Sequence, residues 1–291
     1  TLWPTVVRLP AAQADIHIDP RDRRARKKLL LDAVRGRYPL HRRFWNEFVA
    51  ALEPDLALDI GANYGECVFS PRYPAHTRAL LFEANPDLGA CLRRSIAAHP
   101  DAARLRLYPV LVGAEAGGEG EFFLDADWSG GSTALPRAAA TRPGRLVRVP
   151  RTSIDAVVAA EGGCQRLLFK LDVEGFEPEV LRGMVRTLAA AHTVVGLLEL
   201  NGEHLQRAGL DARGYREGLL GDFDLYVPDA RCGLPLQPVA DLPALLAARA
   251  RPGKPAHLDL LLVKRGSRLP STLAAWGLQP TAEPEATARR V

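Results

Sequence analysis

In Leu56-Ala57-Leu58-Asp59-Ile60-Gly61-Ala62-Asn63-Tyr64-Gly65-Glu66, an apolar run ends abruptly in an acid and two glycines. The apolar residues predict a strand of a parallel sheet that is covered on both faces. Gly61 and Gly65 predict a loop, because glycine adopts positive φ easily and lets a ligand come close to the backbone. A buried strand that runs into a glycine loop is typical of a nucleotide-binding site.

The spacing of these glycines favours one kind of nucleotide. The loop lacks the middle glycine of the Gly-x-Gly-x-x-Gly fingerprint, which seats a pyrophosphate on a helix N-terminus. Adenosine without phosphates therefore fits better than NAD. A second apolar strand, residues 79–82, ends at Glu83. The carboxylate of Glu83 can accept hydrogen bonds from ribose hydroxyls of either cofactor.

Three motifs, each at the end of a predicted strand, resemble the FkbM family of class I S-adenosylmethionine-dependent methyltransferases. They read Asp59-x-Gly61-x-x-x-Gly65, Phe82-Glu83-x-Asn85-Pro86 and Lys170-Leu171-Asp172-Val173-Glu174-Gly175-Phe176-Glu177. The resemblance covers roughly residues 52–200. Two positions depart from the family pattern, with Ala84 in place of the usual Pro and Asn201 where a His often follows the acid. The resemblance implies S-adenosylmethionine as the cofactor, with contacts from Asp59, Gly61, Ala62, Asn63, Gly65, Glu83, Ala84 and Asn85.

The alternation of strand and helix patterns after Leu56 predicts a parallel sheet with crossover helices. As in the class, we expect a seven-stranded Rossmann-like α/β sheet with an antiparallel last strand, inserted β strands and N-terminal helices. Residues 1–52 are expected to form an N-terminal arm and helical cap, and residues 53–265 the methyltransferase domain. Residues 266–291 contain many Pro, Thr and Ala without a core pattern, which predicts a flexible tail.

Two further segments supply candidate cofactor contacts. A strand is predicted from Leu105 to Val112, ended by Gly113, and in the class this turn lies by the adenine ring; an ordinary turn is the alternative. Two inserted strands are predicted to bracket a mobile glycine-rich loop, residues 128–133. Ser132 and Thr133 in that loop could contact the methionine part of the cofactor or the substrate, and a solvent-exposed loop is the alternative.

The candidate catalytic residues are mainly acids. Asp172, Glu174 and Glu199 fall at the ends of adjacent predicted strands, so that all three could face one cleft. Methyl transfer to oxygen needs positioning and removal of a proton. Crowded carboxylates raise one another's pKa, which would make one a better base, or they could hold a divalent cation. Asp172 could instead face the cofactor, and His204 is either another candidate base or a capping residue.

Composition narrows the class of protein. The chain has 291 residues, 47% of them hydrophobic, and a formal net charge of +4, which does not demand a nucleic-acid partner. No apolar run approaches the roughly 20 residues that span a bilayer. The four cysteines include no Cys-x-x-Cys pair, so no metal site is assigned, although Mg²⁺ at the acids is compatible with the sequence. We expect a cytoplasmic protein with a small-molecule acceptor, without membrane contact, and a homo-oligomer is compatible with this.

The resemblance implies O-methylation of a hydroxyl on a sugar or secondary metabolite. An NAD(P)-dependent oxidoreductase is the alternative, disfavoured by the missing glycine and by the lack of a Tyr-x-x-x-Lys pair. A non-catalytic nucleotide-binding module is the third reading.

Overall fold

The computed structural model describes residues 3–135, 142–202, 205, 209, 211–229, 233–252 and 256–278. The strands are β1 (Val6–Val7), β2 (Ile16–His17), β3 (Leu56–Ile60), β4 (Arg78–Phe82), β5 (Leu105–Tyr108), β6 (Leu111–Val112), β7 (Glu119–Asp125), β8 (Gly144–Thr152), β9 (Arg166–Leu171), β10 (Thr193–Asn201), β11 (Phe223–Asp229), β12 (Gly233–Pro238) and β13 (His257–Lys264). The α-helices are α1 (Arg23–Val34), α2 (Leu40–Leu52), α3 (Gly89–Ala98), α4 (Ile154–Ala160), α5 (Glu177–Arg182), α6 (Val185–Ala190), α7 (Ala212–Leu219) and α8 (Leu242–Arg249).

An eight-stranded sheet in the order β12-β11-β13-β10-β9-β3-β4-β5 forms the centre of the fold. Strands β10, β9, β3, β4 and β5 pair in parallel, and β13 is antiparallel to both β10 and β11. The predicted Rossmann-like α/β fold with an antiparallel last strand is confirmed. The expected count of seven strands is wrong, because β12 adds an edge strand within the Pro-rich connection. An edge position tolerates Pro235 and Pro238, since one side of that strand needs no ladder hydrogen bonds.

Successive residues of the central strands enter two different cores, one on each face of the sheet. Ala57 of β3 and Leu168 of β9 belong to the core beneath α1, α2 and α3. Their neighbours Leu58 and Phe169 belong to the core beneath α4 to α8. This alternation follows from the period of two along a strand and explains why the central strands read as continuous apolar runs.

The segment expected to be one strand from Leu105 to Val112 is divided at Pro109. β5 closes the large sheet, whereas β6 turns away and pairs with β8 in a separate sheet of order β6-β8-β7. Proline has no N–H to donate to the ladder, so a break at this position is expected. The two inserted strands that were predicted, β7 and β8, are confirmed, and they enclose a small core of their own.

Residues 266–278 do not form a flexible tail, so the prediction is wrong for this part of the segment. A 3₁₀ helix, Ser271–Trp276, lies against α2. Trp276 is 2% exposed and packs edge-on against Phe44 and Phe48, with ring centroids 5.9 and 5.1 Å away. A single tryptophan buries enough apolar surface to anchor a segment that lacks a periodic pattern. The remainder of the predicted tail, residues 279–291, lies outside the described residues.

The predicted N-terminal arm is also part of the core. Leu9 and Ile16 are almost fully buried, and β2 packs against α3. None of the helices that the structure describes combines the length and the apolar character that crossing a membrane requires.

Candidate active site

A cavity of about 350 Å³ opens at the carboxyl ends of β3, β4, β9 and β10. It lies on the α1–α2 side of the sheet. The strand residues that line it are spaced by two from residues of the core on that side, so their side chains leave the sheet on the same face. Asp59 follows Ala57 of β3 by two residues, and Lys170 follows Leu168 of β9 in the same way. The charged residues therefore occupy the positions at which an apolar core gives way to a cleft.

The cavity has two chemically different ends. We call one the glycine-loop end, which comprises residues 59–63, Glu83, Ala84 and Val112. The other is the histidine end, which comprises His41 of α2, Glu199 of β10, and His257 and Asp259 of β13.

Gly61 and Gly65 both have positive φ, of +82° and +76°. A Cβ atom on Gly61 would lie 1.8 Å from the backbone oxygen of Asp172, at the end of β9. A Cβ atom on Gly65 would lie 2.2 Å from the ring of Phe69. The positive φ predicted for both glycines is present, and the packing of the chain itself also demands a glycine at each position. Gly61 lines the cavity, whereas Gly65 is not among its lining residues.

Glu83 links the loops that follow β3 and β4. Its Oε2 accepts a hydrogen bond from the Asn63 N–H at 2.7 Å, and its Oε1 accepts one from the Asn85 N–H at 2.7 Å. Burial raises the pKa of Glu83 to about 7. The side chain of Asn85 accepts a hydrogen bond from the Asp87 N–H, and Asn85 does not line the cavity, so the expected contact of Asn85 with a cofactor is not supported.

A cluster of charges lies between the two ends, with Asp59 buried and Lys170 and Asp172 partly buried. Lys170 Nζ donates to Asp172 Oδ2 at 2.7 Å and stands 4.0 Å from Asp59 Oδ1. Burial lowers the pKa of Lys170, but the carboxylates of Asp172 and Asp59 raise it more, so the pKa stands above its usual value. Burial raises the pKa of Asp59 to about 6, and its Oδ1 has no hydrogen-bond partner among the described residues.

The predicted acids Asp172, Glu174 and Glu199 do line one cavity. Glu199 shares a hydrogen bond with Asp172, and the Asp172 carboxylate raises the pKa of Glu199 well above its usual value. The neighbouring Asp172 carboxylate therefore favours the protonated form of Glu199 when no cation is bound there. Glu174 has an unusual positive φ of 56°, and burial raises its pKa.

The loop of residues 128–132 covers the cavity and is tied down at several points. The Ser129 N–H donates to Asp22 Oδ2 at 3.1 Å, and Ser129 Oγ donates to Asn63 Oδ1 at 3.0 Å. The guanidinium of Arg24 lies 4.3 Å from the ring centroid of Trp128. Helix α1 and the glycine loop thus hold this loop in place over the cavity.

The other candidate residues differ in whether they line the cavity. Ser132 and Val112 line the cavity, whereas Thr133 and Gly113 do not. Thr133 Oγ1 instead donates to the carbonyl of Glu174 at 2.9 Å, and Gly113 lies against Gly183 and Phe176. The candidate base His204 lies outside the described residues.

Of the histidine end, the sequence predicted Glu199 but not His41, His257 or Asp259. His257 and Asp259 are two residues apart, so they share one face of β13. Because β13 is antiparallel, its beginning rather than its end lies at the cavity, and this signal is visible only once the strand direction is known. His41 comes from α2 and is brought in by packing alone. Burial lowers the pKa of His41, which keeps its ring neutral near pH 7.

Residues 59–233, more than half of the chain, match the family model described as the Methyltransferase FkbM domain. No curated protein sequence matches the chain.

Several solved structures are similar to the chain at low identity. An O-methyltransferase from Bacillus cereus, in complex with SAH, has 11% identity and a TM-score of 0.39, with 78% of this chain and 82% of that chain covered. A methyltransferase from Geobacter sulfurreducens has 14% identity and a TM-score of 0.37, with 77% of each chain covered. A possible exported protein from Bordetella parapertussis has 12% identity and a TM-score of 0.40, with 77% of this chain and 66% of that chain covered. Likenesses with TM-scores this low carry no conclusion about the fold or the reaction of this chain.

Proposed function

Because the chain belongs to the FkbM family of S-adenosylmethionine-dependent methyltransferases, we propose that it methylates a hydroxyl oxygen of a small molecule, such as a sugar or a secondary metabolite. The observation that carries this proposal is the division of the cavity, with a glycine loop and a ribose-type carboxylate at one end and two histidines at the other. The alternative of an NAD(P)-dependent oxidoreductase is not retained, since the family is one of methyltransferases.

The residues present fit S-adenosylmethionine. Glu83 offers a buried carboxylate to ribose hydroxyls, and the unpartnered Oδ1 of Asp59 offers an acceptor beside it. The acids around the cavity suit a ligand with ammonium and sulfonium charges. The bound cofactor supplies an electrophilic methyl group, whose bond to sulfur breaks with the electron pair staying on sulfur. Residues 59–63, Glu83, Ala84 and Val112 would hold it.

At the histidine end the chain has to orient an acceptor hydroxyl and take its proton. The neutral ring of His41 can accept that proton, because an imidazole with a lowered pKa is a free base near pH 7. Glu199 lines the same end of the cavity as His41 and contributes to the polar surface that faces the acceptor. Asp172 is held by Lys170, so we assign it to positioning the cofactor end of the cavity rather than to proton removal.

The test of this function is methyl transfer with a panel of acceptors that carry hydroxyl, amine or thiol groups. Products are identified by mass spectrometry with S-adenosylmethionine that carries a labelled methyl group. We expect the label on a hydroxyl oxygen. Label found only on nitrogen or sulfur acceptors would rule out O-methylation and leave the family assignment intact.

His41→Asn is expected to lower kcat by at least tenfold while the Kd for S-adenosylhomocysteine changes by less than about twofold. The reason is that general base catalysis contributes roughly 10²–10⁴-fold, whereas His41 lies at the end away from the glycine loop. The residual rate should rise with pH more steeply than in the wild type, as solvent hydroxide replaces the lost base. An unchanged kcat and pH profile would show that another group takes the proton.

Glu83→Gln is expected to weaken S-adenosylhomocysteine binding by at least tenfold, since a charge-assisted hydrogen bond contributes about 1.5–3 kcal/mol. In the wild type, affinity should fall as pH drops through about 7, because Glu83 must be ionised to accept from both hydroxyls and backbone. The variant should lose most of that dependence. Isothermal titration at several pH values measures both effects.

The matched control is Asp87→Asn, an acid of the same turn that pairs with Arg145 and does not line the cavity. It should keep wild-type affinity. Equal affinity in both variants would remove Glu83 from the binding site.

A further inference from the structure

We propose that Glu199, His257 and Asp259 at the histidine end bind a first-row divalent cation such as Mn²⁺ or Zn²⁺. The binding of the cation follows from the residues alone, whereas its role rests on the proposed methyl transfer. Sequence reasoning considered a cation at Asp172, Glu174 and Glu199, but in the structure Asp172 is occupied by Lys170.

The backbone fixes the three side chains as a set. Strands β10 and β13 are hydrogen-bonded neighbours, in which Glu199 stands opposite Asp259 and Asn201 opposite His257. Asp259 and His257 are two residues apart, so all three side chains leave the sheet on one face. One ligand atom from each lies within 4.8 Å of the other two, and His257 Nε2 is 3.2 Å from Glu199 Oε1. Small rotamer changes would allow the ligand atoms of all three side chains to coordinate one ion.

The negative charges at this site favour the binding of a cation. Two carboxyl groups face each other across adjacent strands, an arrangement that destabilises a sheet when both are ionised. The Asp259 carboxylate has no hydrogen bond or ion pair with the other residues that the structure describes, although it lines a cleft. Within the described part of the cavity the lysines are engaged elsewhere, Lys170 with Asp172 and Lys28 with Glu66. A cation would displace the proton that Glu199 shares with Asp172 and would neutralise both Glu199 and Asp259.

The donor set indicates the class of cation. One imidazole nitrogen and two carboxylates suit Mn²⁺, Fe²⁺, Co²⁺ or Zn²⁺, whereas Ca²⁺ and Mg²⁺ prefer oxygen ligands throughout. Three protein ligands leave coordination positions open toward the cavity. The acceptor that matches such a site carries two neighbouring oxygens, as in a 1,2-diol, a catechol or an α-hydroxy acid.

The cation would also assist the reaction. A divalent ion lowers the pKa of a hydroxyl that it binds. The ring of His41 would then take the hydroxyl proton, and the oxygen would accept the methyl group that the bound cofactor supplies, with the electron pair of the broken bond staying on sulfur. The specificity for acceptors with paired oxygens would thus arise from β10 and β13 rather than from the glycine loop.

The test is a titration of the full chain with Mn²⁺, followed by electron paramagnetic resonance of the free ion. We expect one Mn²⁺ per chain, with an affinity at least tenfold weaker in His257→Gln and in Asp259→Asn. The matched control is Asp224→Asn, an exposed acid of the neighbouring β11 that pairs with Arg265. The control should bind Mn²⁺ as the wild type does. S-adenosylhomocysteine binding in every variant verifies that the glycine-loop end is intact.

Three outcomes are informative. Mn²⁺ binding that is absent, or equal in all variants, overturns the site. Site-specific binding combined with methyl transfer that a chelator does not affect overturns the catalytic role and leaves the site. Site-specific binding without methyl transfer to any hydroxyl acceptor contradicts the proposed function and supports the cation site, so the two proposals fail separately.

Discussion

Gly61→Ala is expected to abolish S-adenosylhomocysteine binding within the range that isothermal titration can measure, a loss of at least 100-fold. The added methyl group would meet the carbonyl oxygen of Asp172 at 1.8 Å, so β9 and the glycine loop would have to separate. Overpacking of this kind typically destabilises a fold by about 1–3 kcal/mol. The positive φ of the residue adds roughly 1–2 kcal/mol. Unfolding in urea should therefore show a lower midpoint as well.

The control separates backbone strain from the clash. Gly162 has a φ of +86°, close to the +82° of Gly61, and no atom lies within 4 Å of the point that a Cβ atom would occupy there. Gly162→Ala should lower the free energy of unfolding only by the amount due to the positive φ, and it should bind S-adenosylhomocysteine as the wild type does. Native affinity in Gly61→Ala would show that the contact with Asp172 does not shape the site.

Lys170→Met is expected to lower the free energy of unfolding by about 3 kcal/mol at pH 8, because it leaves the buried carboxylate of Asp59 and the partly buried carboxylate of Asp172 without their partner. The deficit should shrink as the pH falls. Without Lys170, the folded-state pKa values of Asp59 and Asp172 rise above their unfolded values, so the acids fold at little cost when protonated. Stability is then lost as the pH rises through those values. Urea unfolding at pH 5 and pH 8 measures the difference.

Lys264→Met supplies the comparison. Lys264 Nζ donates to the carbonyl oxygens of Leu188 and Ala191, at 2.6 and 2.8 Å, and so its substitution removes no partner from an acid. The loss of stability should be smaller and nearly independent of pH. A pH-independent deficit in Lys170→Met would show that Asp59 and Asp172 are not held by this ion pair.

The sequence predicted the parts of the fold that local patterns encode. Strand β3, the glycine loop and strand β4 follow one another within a short stretch of sequence. Gly61 marks the end of β3, and Glu83 marks the end of β4. The acids Asp172 and Glu199 could be placed together because parallel strands end at the same edge. These predictions required no knowledge of long-range packing.

The remaining features depend on contacts between distant parts of the chain. His41 reaches the cavity because α2 packs over the sheet, and its position in the sequence carries no motif. His257 begins a strand whose antiparallel direction is set by pairing with β10. Trp276 anchors a segment of otherwise tail-like composition through the rings of Phe44 and Phe48. Such features are properties of the packed structure, and single-sequence patterns do not contain them.

The Glu83 carboxylate joins the backbone of Asn63 to that of Asn85, so two loops are fixed relative to each other before any ligand arrives. Ordering a loop during association reduces affinity, because the chain loses conformational freedom at that moment. Here that loss of freedom accompanies folding instead. The glycine-loop end is therefore preorganised, and a ligand that binds there does not have to order these two loops.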